Sequence, residues 1–161
     1  MTDAEVTAAL QDSFWLAADH LLMFHTNPWE LDEALEAAGY GMGPCAAMDL
    51  LGLDVVLDRR QGTASPILPR MVAEGRMGKK GGVGHYRYPG GGGAVIDPLI
   101  EDLILEEAWF AKVTRHDLPD AELVARMQAA QAAAVVHLLD QGAQPDRVRR
   151  ACRTGLHAPS A

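Results

Sequence analysis

The 161-residue sequence carries two cysteines, Cys45 and Cys152, far apart in the chain. So sparse a pair builds no disulfide framework, and reduced thiols place the expected compartment in the cytoplasm. Basic residues are short as well: 14 Lys and Arg stand against 22 Asp and Glu, for a net charge of −8. Neutralising a phosphate backbone takes a basic face, so nucleic acid is excluded as the main partner. No apolar run approaches the roughly 20 residues of a bilayer-crossing helix, so no membrane partner is expected. The opening "MTDAEVTAAL" lacks the basic start and apolar stretch of a secretory signal. Alternation of the strand type is confined to a short piece at His85–Tyr88. What remains is 48% apolar, ordinary for one folded domain with a proper core.

The punctuation is helical. Thr2-Asp3-Ala4-Glu5 forms a capping box, in which Thr2 accepts from an amide three residues on and Glu5 reaches back. An apolar pattern follows through Val6, Leu10, Phe14, Ala17, Leu21 and Phe24, at steps of three and four. Asn27 then caps a second helix, with Pro28 in its first turn and Gly39 as its stop. Pro44 after Gly43, Asp54 after Gly52, Pro66 and Pro98 are further starts; Gly62 and Gly75 are stops.

The two ends of the chain match each other at an offset of 117. Asp3, Ala4, Glu5 and Gln11 fall on Asp120, Ala121, Glu122 and Gln128; His20-Leu21-Leu22 falls on His137-Leu138-Leu139, and Pro28 on Pro145, without a gap. A long helix, a tight turn and a short helix are therefore expected twice, packed about a pseudo-twofold axis. The expected organisation is one helical domain over 1–161, with related halves at about 2–62 and 98–155 joined by a Gly-rich loop at 75–97. His20 and His137 are either a pair sharing a metal or proton at that axis, or ordinary packing and surface residues. Cys45 and Cys152 have no His or Asp spaced to activate a nucleophile and fit small buried thiols.

Two central stretches carry fixed spacings. "GYGMGPCAAMDLLGLDV" contains Gly39, Met42, Gly43, Pro44, Asp49, Leu50, Gly52, Leu53, Asp54 and Val55; "GRMGKKGGVGHYRY" contains Gly75, Arg76, Gly78, Lys80, Gly82, Gly84, Tyr86 and Tyr88. Gly43-Pro44 ends one helix and starts another with no wasted donor. The glycines of 75–84 allow left-handed backbone and a close approach of loop to helix, while Tyr86 and Tyr88 pack their rings inward and send hydroxyls to partners. The rival reading is a phosphate nest with Arg76, Lys79 and Lys80 as its charges. The stretch matches neither the P-loop nor the dinucleotide glycine pattern.

Together these motifs, with "DPLIEDLI" at 97–104, resemble the C-terminal helical region of the 3-hydroxyacyl-CoA dehydrogenases, in the form found in the multifunctional fatty-acid β-oxidation enzymes. The resemblance spans nearly all of the chain. It implies an all-α fold: a duplicated helical bundle like the C-terminal domain of the 6-phosphogluconate and 3-hydroxyacyl-CoA dehydrogenases. Gly43, Pro44, Asp49, Gly52, Asp54, Gly78, Gly84 and Tyr86 are its structural motif. It also implies a role in completing the acyl-CoA cleft and in dimer contacts. The family's NAD site and its His–Glu pair lie in a dinucleotide-binding domain, and no stretch of this sequence has that pattern. No catalytic, cofactor or metal residue is therefore expected in this chain, and NAD would come only with a separate nucleotide-binding domain. An Asn near the family's substrate falls at about Ala8, and an Asn-Glu pair near Ala133-Ala134; both are apolar here.

The capping box at Thr2 is the expectation for a complete small gene product, while "RTGLHAPSA" stops short of the family's glycine-rich tail. Three roles follow. The first is a dehydrogenase module, inactive alone. The second is a stand-alone acyl-CoA-binding or scaffold protein, with Arg76, Lys79, Lys80 and Arg87 as candidate CoA-phosphate contacts. The third is assembly in trans with a nucleotide-domain polypeptide, for which Phe14, Trp15 and Trp29 are either the contact or plain core.

Overall fold

The computed structural model describes residues 1–60 and 64–160. Among them are eight α-helices: α1 (Asp3–Phe24), α2 (Pro28–Ala37), α3 (Pro44–Leu51), α4 (Leu53–Arg59), α5 (Ile67–Ala73), α6 (Pro98–Phe110), α7 (Asp120–Asp140) and α8 (Pro145–Gly155). A two-stranded antiparallel ribbon, β1 (Tyr86–Arg87) with β2 (Val95–Ile96), pairs Tyr86 with Ile96 and Arg87 with Val95. β1 lies within the stretch expected from sequence. β2, two residues long, is too short to leave an alternation. No described helix is long and apolar enough to cross a membrane.

The helix ends follow local chemistry. Thr2 and Glu5 form the capping box in both directions, and the Asn27 side chain accepts from the Glu30 amide at 2.9 Å. Pro28, Pro44 and Pro98 occupy the first turns of α2, α3 and α6, and Asp97 accepts from the Leu99 amide. Gly39 and Gly75 follow α2 and α5 with φ of 104° and 84°, a region that favours glycine. Asp54 starts no helix itself: α4 begins at Leu53 after Gly52, and Asp54 sits in its first turn. Gly62, expected as a stop, lies outside the described residues.

α1 is the central rod. It packs on α7 and α8 on one side and on α3, α5 and α6 on the other. Burial on two sides explains why its apolar stripe is wider than the simple pattern: Trp15, Ala18, Leu22 and Met23 are buried, whereas Ala17 and Phe24 are only partly covered. Phe14 and Trp15 belong to this core, at 1% and 2% exposure, so neither offers a contact surface; Trp29 is half-buried.

The outer helix pairs start at matching offsets and pack crosswise. α1 and α7 begin at Asp3 and Asp120, α2 and α8 at Pro28 and Pro145, both 117 residues apart. α1 packs on α8, and α2 on α7. Gln11 of α1 donates to the Gly155 carbonyl at the end of α8 (3.1 Å), and Gln131 of α7 accepts from the Tyr40 hydroxyl just beyond α2 (2.6 Å). The segment before α7 is clamped over the end of α1. There the Arg115 guanidinium donates to the carbonyls of Leu22, Met23 and Thr26, a cation at the negative end of a helix. His20 and His137 are both exposed and border separate hollows, so they form no pair.

Candidate functional site

The two sequence motifs meet at one buried carboxylate. Asp49 sits on the inner side of α3 with no exposed surface. It accepts from the amides of His85 (2.9 Å) and Tyr86 (3.0 Å), from Nδ1 of His85 (3.0 Å), and from the hydroxyl of Tyr88 (2.6 Å). Buried charge is tolerated only when it is so fully bonded. The first motif thus supplies an acceptor, and the second wraps its donors around it.

A second carboxylate fastens the start of α3. Gly43 is the N-cap and has no side chain to offer. Asp32, reaching from α2, accepts from the amides of Cys45 (2.9 Å) and Ala46 (3.0 Å) and from the Tyr86 hydroxyl (2.8 Å). It stands where the helix dipole favours an anion. A side chain at Gly43 would run into the Asp32 carboxyl group, so glycine is what lets the carboxylate close in.

The glycine-rich segment is shaped by the same need. A Cβ at Gly78 would strike the Asp49 backbone, and one at Gly84 its carboxylate. Arg76 holds the segment to α6, donating from Nη1 to the Gly84 carbonyl and to Oδ2 of Asp97, each at 3.0 Å. Lys80 pairs with Asp54 at 2.6 Å, and Arg87 lies 4.0 Å from Asp97. Lys79 is exposed. The four cations proposed from sequence therefore divide: Arg76 is turned inward, while Lys79, Lys80 and Arg87 face solvent.

Electrostatics fits a structural network. Burial pushes Asp32 up to about 6, against the pull of the Cys45 amide, the Tyr86 hydroxyl and the Ala46 amide. Burial first, then the nearby carboxylates, also drives the Tyr86 phenol and the Cys45 thiol upward, so neither ionises readily as a nucleophile would. Asp32 binds its proton more tightly in the folded chain than in the unfolded one. Its stabilising contribution is thus complete below about pH 4 and lost as pH rises through about 6. The stability of the wild type relative to Asp32→Asn should fall by about 3 kcal/mol between pH 4 and pH 7. Urea unfolding of both proteins across that range measures it; parallel curves would contradict the assignment.

Sequence reasoning found Asp49, Gly43, Gly78, Gly84 and Tyr86 as motif positions but passed over Asp32 and His85. A helix start with glycine at its cap was the available signal for Asp32, since its amides need an acceptor from elsewhere. His85 occupies a variable position of the motif and gave no signal.

A bundle of this shape, with two buried carboxylates tying its central helices to a glycine-rich segment, defines a helical domain. The model of the 3-hydroxyacyl-CoA dehydrogenase C-terminal domain matches residues 6–88, just over half of the chain, and the chain belongs to that family. The Peroxisomal bifunctional enzyme of Danio rerio is 34% identical over 131 residues, covering 68% of this chain and 18% of that protein. The 3-hydroxybutyryl-CoA dehydrogenase of Clostridioides difficile is 41% identical over 71 residues, covering 37% of this chain and 25% of that protein. The chain thus spans a quarter or less of these relatives' length. In fold it is similar to the dehydrogenase part of multifunctional enzyme 1 from C. elegans, with a TM-score of 0.75 at 20% identity, over 97% of this chain and 37% of that one.

Proposed function

We propose that this chain is the helical wall of a 3-hydroxyacyl-CoA dehydrogenase of fatty-acid β-oxidation, closing the acyl-CoA cleft against a separate dinucleotide-binding domain that brings NAD and the general base. One observation carries this reading: the motif residues Gly43, Asp49, Gly78, Gly84 and Tyr86 serve the Asp32–Asp49 network, where both carboxylates are buried and fully engaged by donors. Such a network sets a shape and performs no proton transfer on a substrate. The corresponding placement of α1–α2 and α7–α8 supports an origin by internal duplication of a single domain. The free thiols Cys45 and Cys152 suit a reducing compartment, which we take to be the cytoplasm, although several relatives are named as peroxisomal.

The test is direct. The purified chain, given 3-hydroxybutyryl-CoA and NAD, should form no NADH above a control without protein, and turnover by the chain alone would overturn the proposal. A second reading, a binding module for CoA, is favoured by the exposed Lys79 and Arg87 on the glycine-rich segment. Calorimetric heat with CoA that disappears in the Lys79→Ala, Lys80→Ala double variant would support it.

A further inference from the structure

α6 carries apolar side chains on two sides, and the fold buries only one of them. Ile100, Leu103, Ile104 and Ala108 are buried and hold the helix to the bundle. On the opposite side Leu99, Asp102, Glu106 and Trp109 follow one another at steps of three, four and three. That spacing lines four side chains into one seam, the repeat by which one helix packs along another. Leu99 is 62% exposed and Trp109 80%, while Phe110 (65%) and Leu105 (44%) flank the seam on either side. Scattered apolar residues at a surface need no explanation. Four on one helix face, one of them a tryptophan, mark an interaction surface.

The middle of the seam says what a partner must carry. Asp102 and Glu106 are both exposed and stand about one turn apart. Between α5 and α6 they line a hollow of about 360 Å³, together with Glu74, Arg70 and Arg76. The two arginines are already engaged: Arg70 by Glu74, Glu106 and Glu107 at 3.3–3.5 Å, and Arg76 by Asp97 at 3.0 Å. Arg87 lies 4.0 Å from the same Asp97. Asp97, Asp102, Glu74, Glu106 and Glu107 thus outnumber Arg70, Arg76 and Arg87 among them, and acidic charge is in excess. Lys112 belongs to a separate hollow at the Trp109 end of the helix.

A partner that covers this seam has to bring apolar side chains to its two ends and Lys or Arg to its centre. A carboxylate buried at an interface without a cation is strongly unfavourable, and a matched cation fixes the register. The partner also has to run straight over the roughly 15 Å from Leu99 to Trp109, which a helix of about three turns provides.

We propose that the outer face of α6 docks a basic amphipathic helix of a partner protein. Asp102 and Glu106 face two Lys or Arg side chains of that helix, and Leu99 and Trp109 are covered at either end. The contact rests neither on the dehydrogenase reading nor on the Asp32–Asp49 network. The full chain is titrated with three synthetic peptides of about 18 residues, long enough to form a helix. The first carries Leu, Lys, Lys and Leu at steps of three, four and three; the second has Glu for both Lys; the third scrambles the order of the first. Anisotropy of a label on each peptide reads binding. A blue shift of tryptophan emission reads contact at Trp109, since Trp15 is buried and Trp29 half-buried. The wild type should bind the lysine peptide about tenfold or more tighter than either of the others. Asp102→Lys with Glu106→Lys should reverse the preference toward the glutamate peptide, and Trp109→Ala should weaken the lysine peptide about tenfold, each with unchanged circular dichroism. Equal binding of the lysine and scrambled peptides would reduce the contact to general attraction by an acidic chain and overturn the proposal. So would no binding by the wild type, or undiminished binding of the lysine peptide by either variant. A wild type whose mass without peptide rises above one chain, and falls back in the Asp102→Lys, Glu106→Lys variant, would give the face to a second copy and overturn it as well. The peptide comparison on the wild type needs no variant at all. Failure would leave the dehydrogenase reading standing, since the NADH assay tests it separately.

Discussion

Asp49→Ala should be the most damaging single substitution in the motif, lowering unfolding free energy by about 4 kcal/mol. The carboxylate gathers four donors with no exposed surface: two amides, an imidazole nitrogen and a phenol. Alanine removes all their acceptors at once and leaves a void that solvent does not reach. Against a typical domain stability of about 5–15 kcal/mol, that loss is a large share of the total. For a chain of this length it corresponds to a drop of about 10 °C or more in Tm. Asp49→Asn keeps the volume but turns two donors of its own toward existing donors, so it should recover only part of the loss. Thermal melts followed by circular dichroism decide the matter. A fall of a degree or two for Asp49→Ala would mean the glycine-rich segment is held by something other than this carboxylate.

Which parts of this molecule could be read from sequence depends on how far apart the cooperating residues lie. Helix starts at Thr2, Asn27 and Pro98 were legible because a cap is completed within three or four residues, and the start at Pro44 because a proline in the first turn marks it locally. The family was legible because its glycines and tyrosines keep fixed spacings. The reason for those spacings was not. Asp32 caps α3 from 13 residues upstream of Cys45, and Arg76 finds Asp97 21 residues downstream. Distances of that order carry no periodic mark. Arg76 therefore read as a free cation, although its guanidinium is turned into the fold. α1 shows the same limit in another form: packed on two sides, it loses the single stripe that a 3.6-residue pattern detects, and the depth of Trp15 and Met23 emerges only with the neighbouring helices in place.

The glycines supply the sharpest test of that argument, because two of them have similar positive φ and very different surroundings. Gly75 and Gly78 have φ of 84° and 98°. A Cβ on Gly75 meets nothing within 4 Å, while one on Gly78 would press into the backbone of Asp49, which cannot swing aside as a side chain would. Gly75→Ala should therefore cost about 1 kcal/mol, the strain of a left-handed residue and no more. Gly78, with φ of 98° and ψ of −156°, lies in a region that only glycine readily adopts, so Gly78→Ala adds overpacking to a greater strain and should cost about 3–5 kcal/mol. The difference between the two variants, measured by urea unfolding at one pH, reports the contact between loop and helix together with the extra backbone strain at Gly78. Equal losses for Gly75→Ala and Gly78→Ala would show that the close approach to α3 contributes nothing to the stability of this segment.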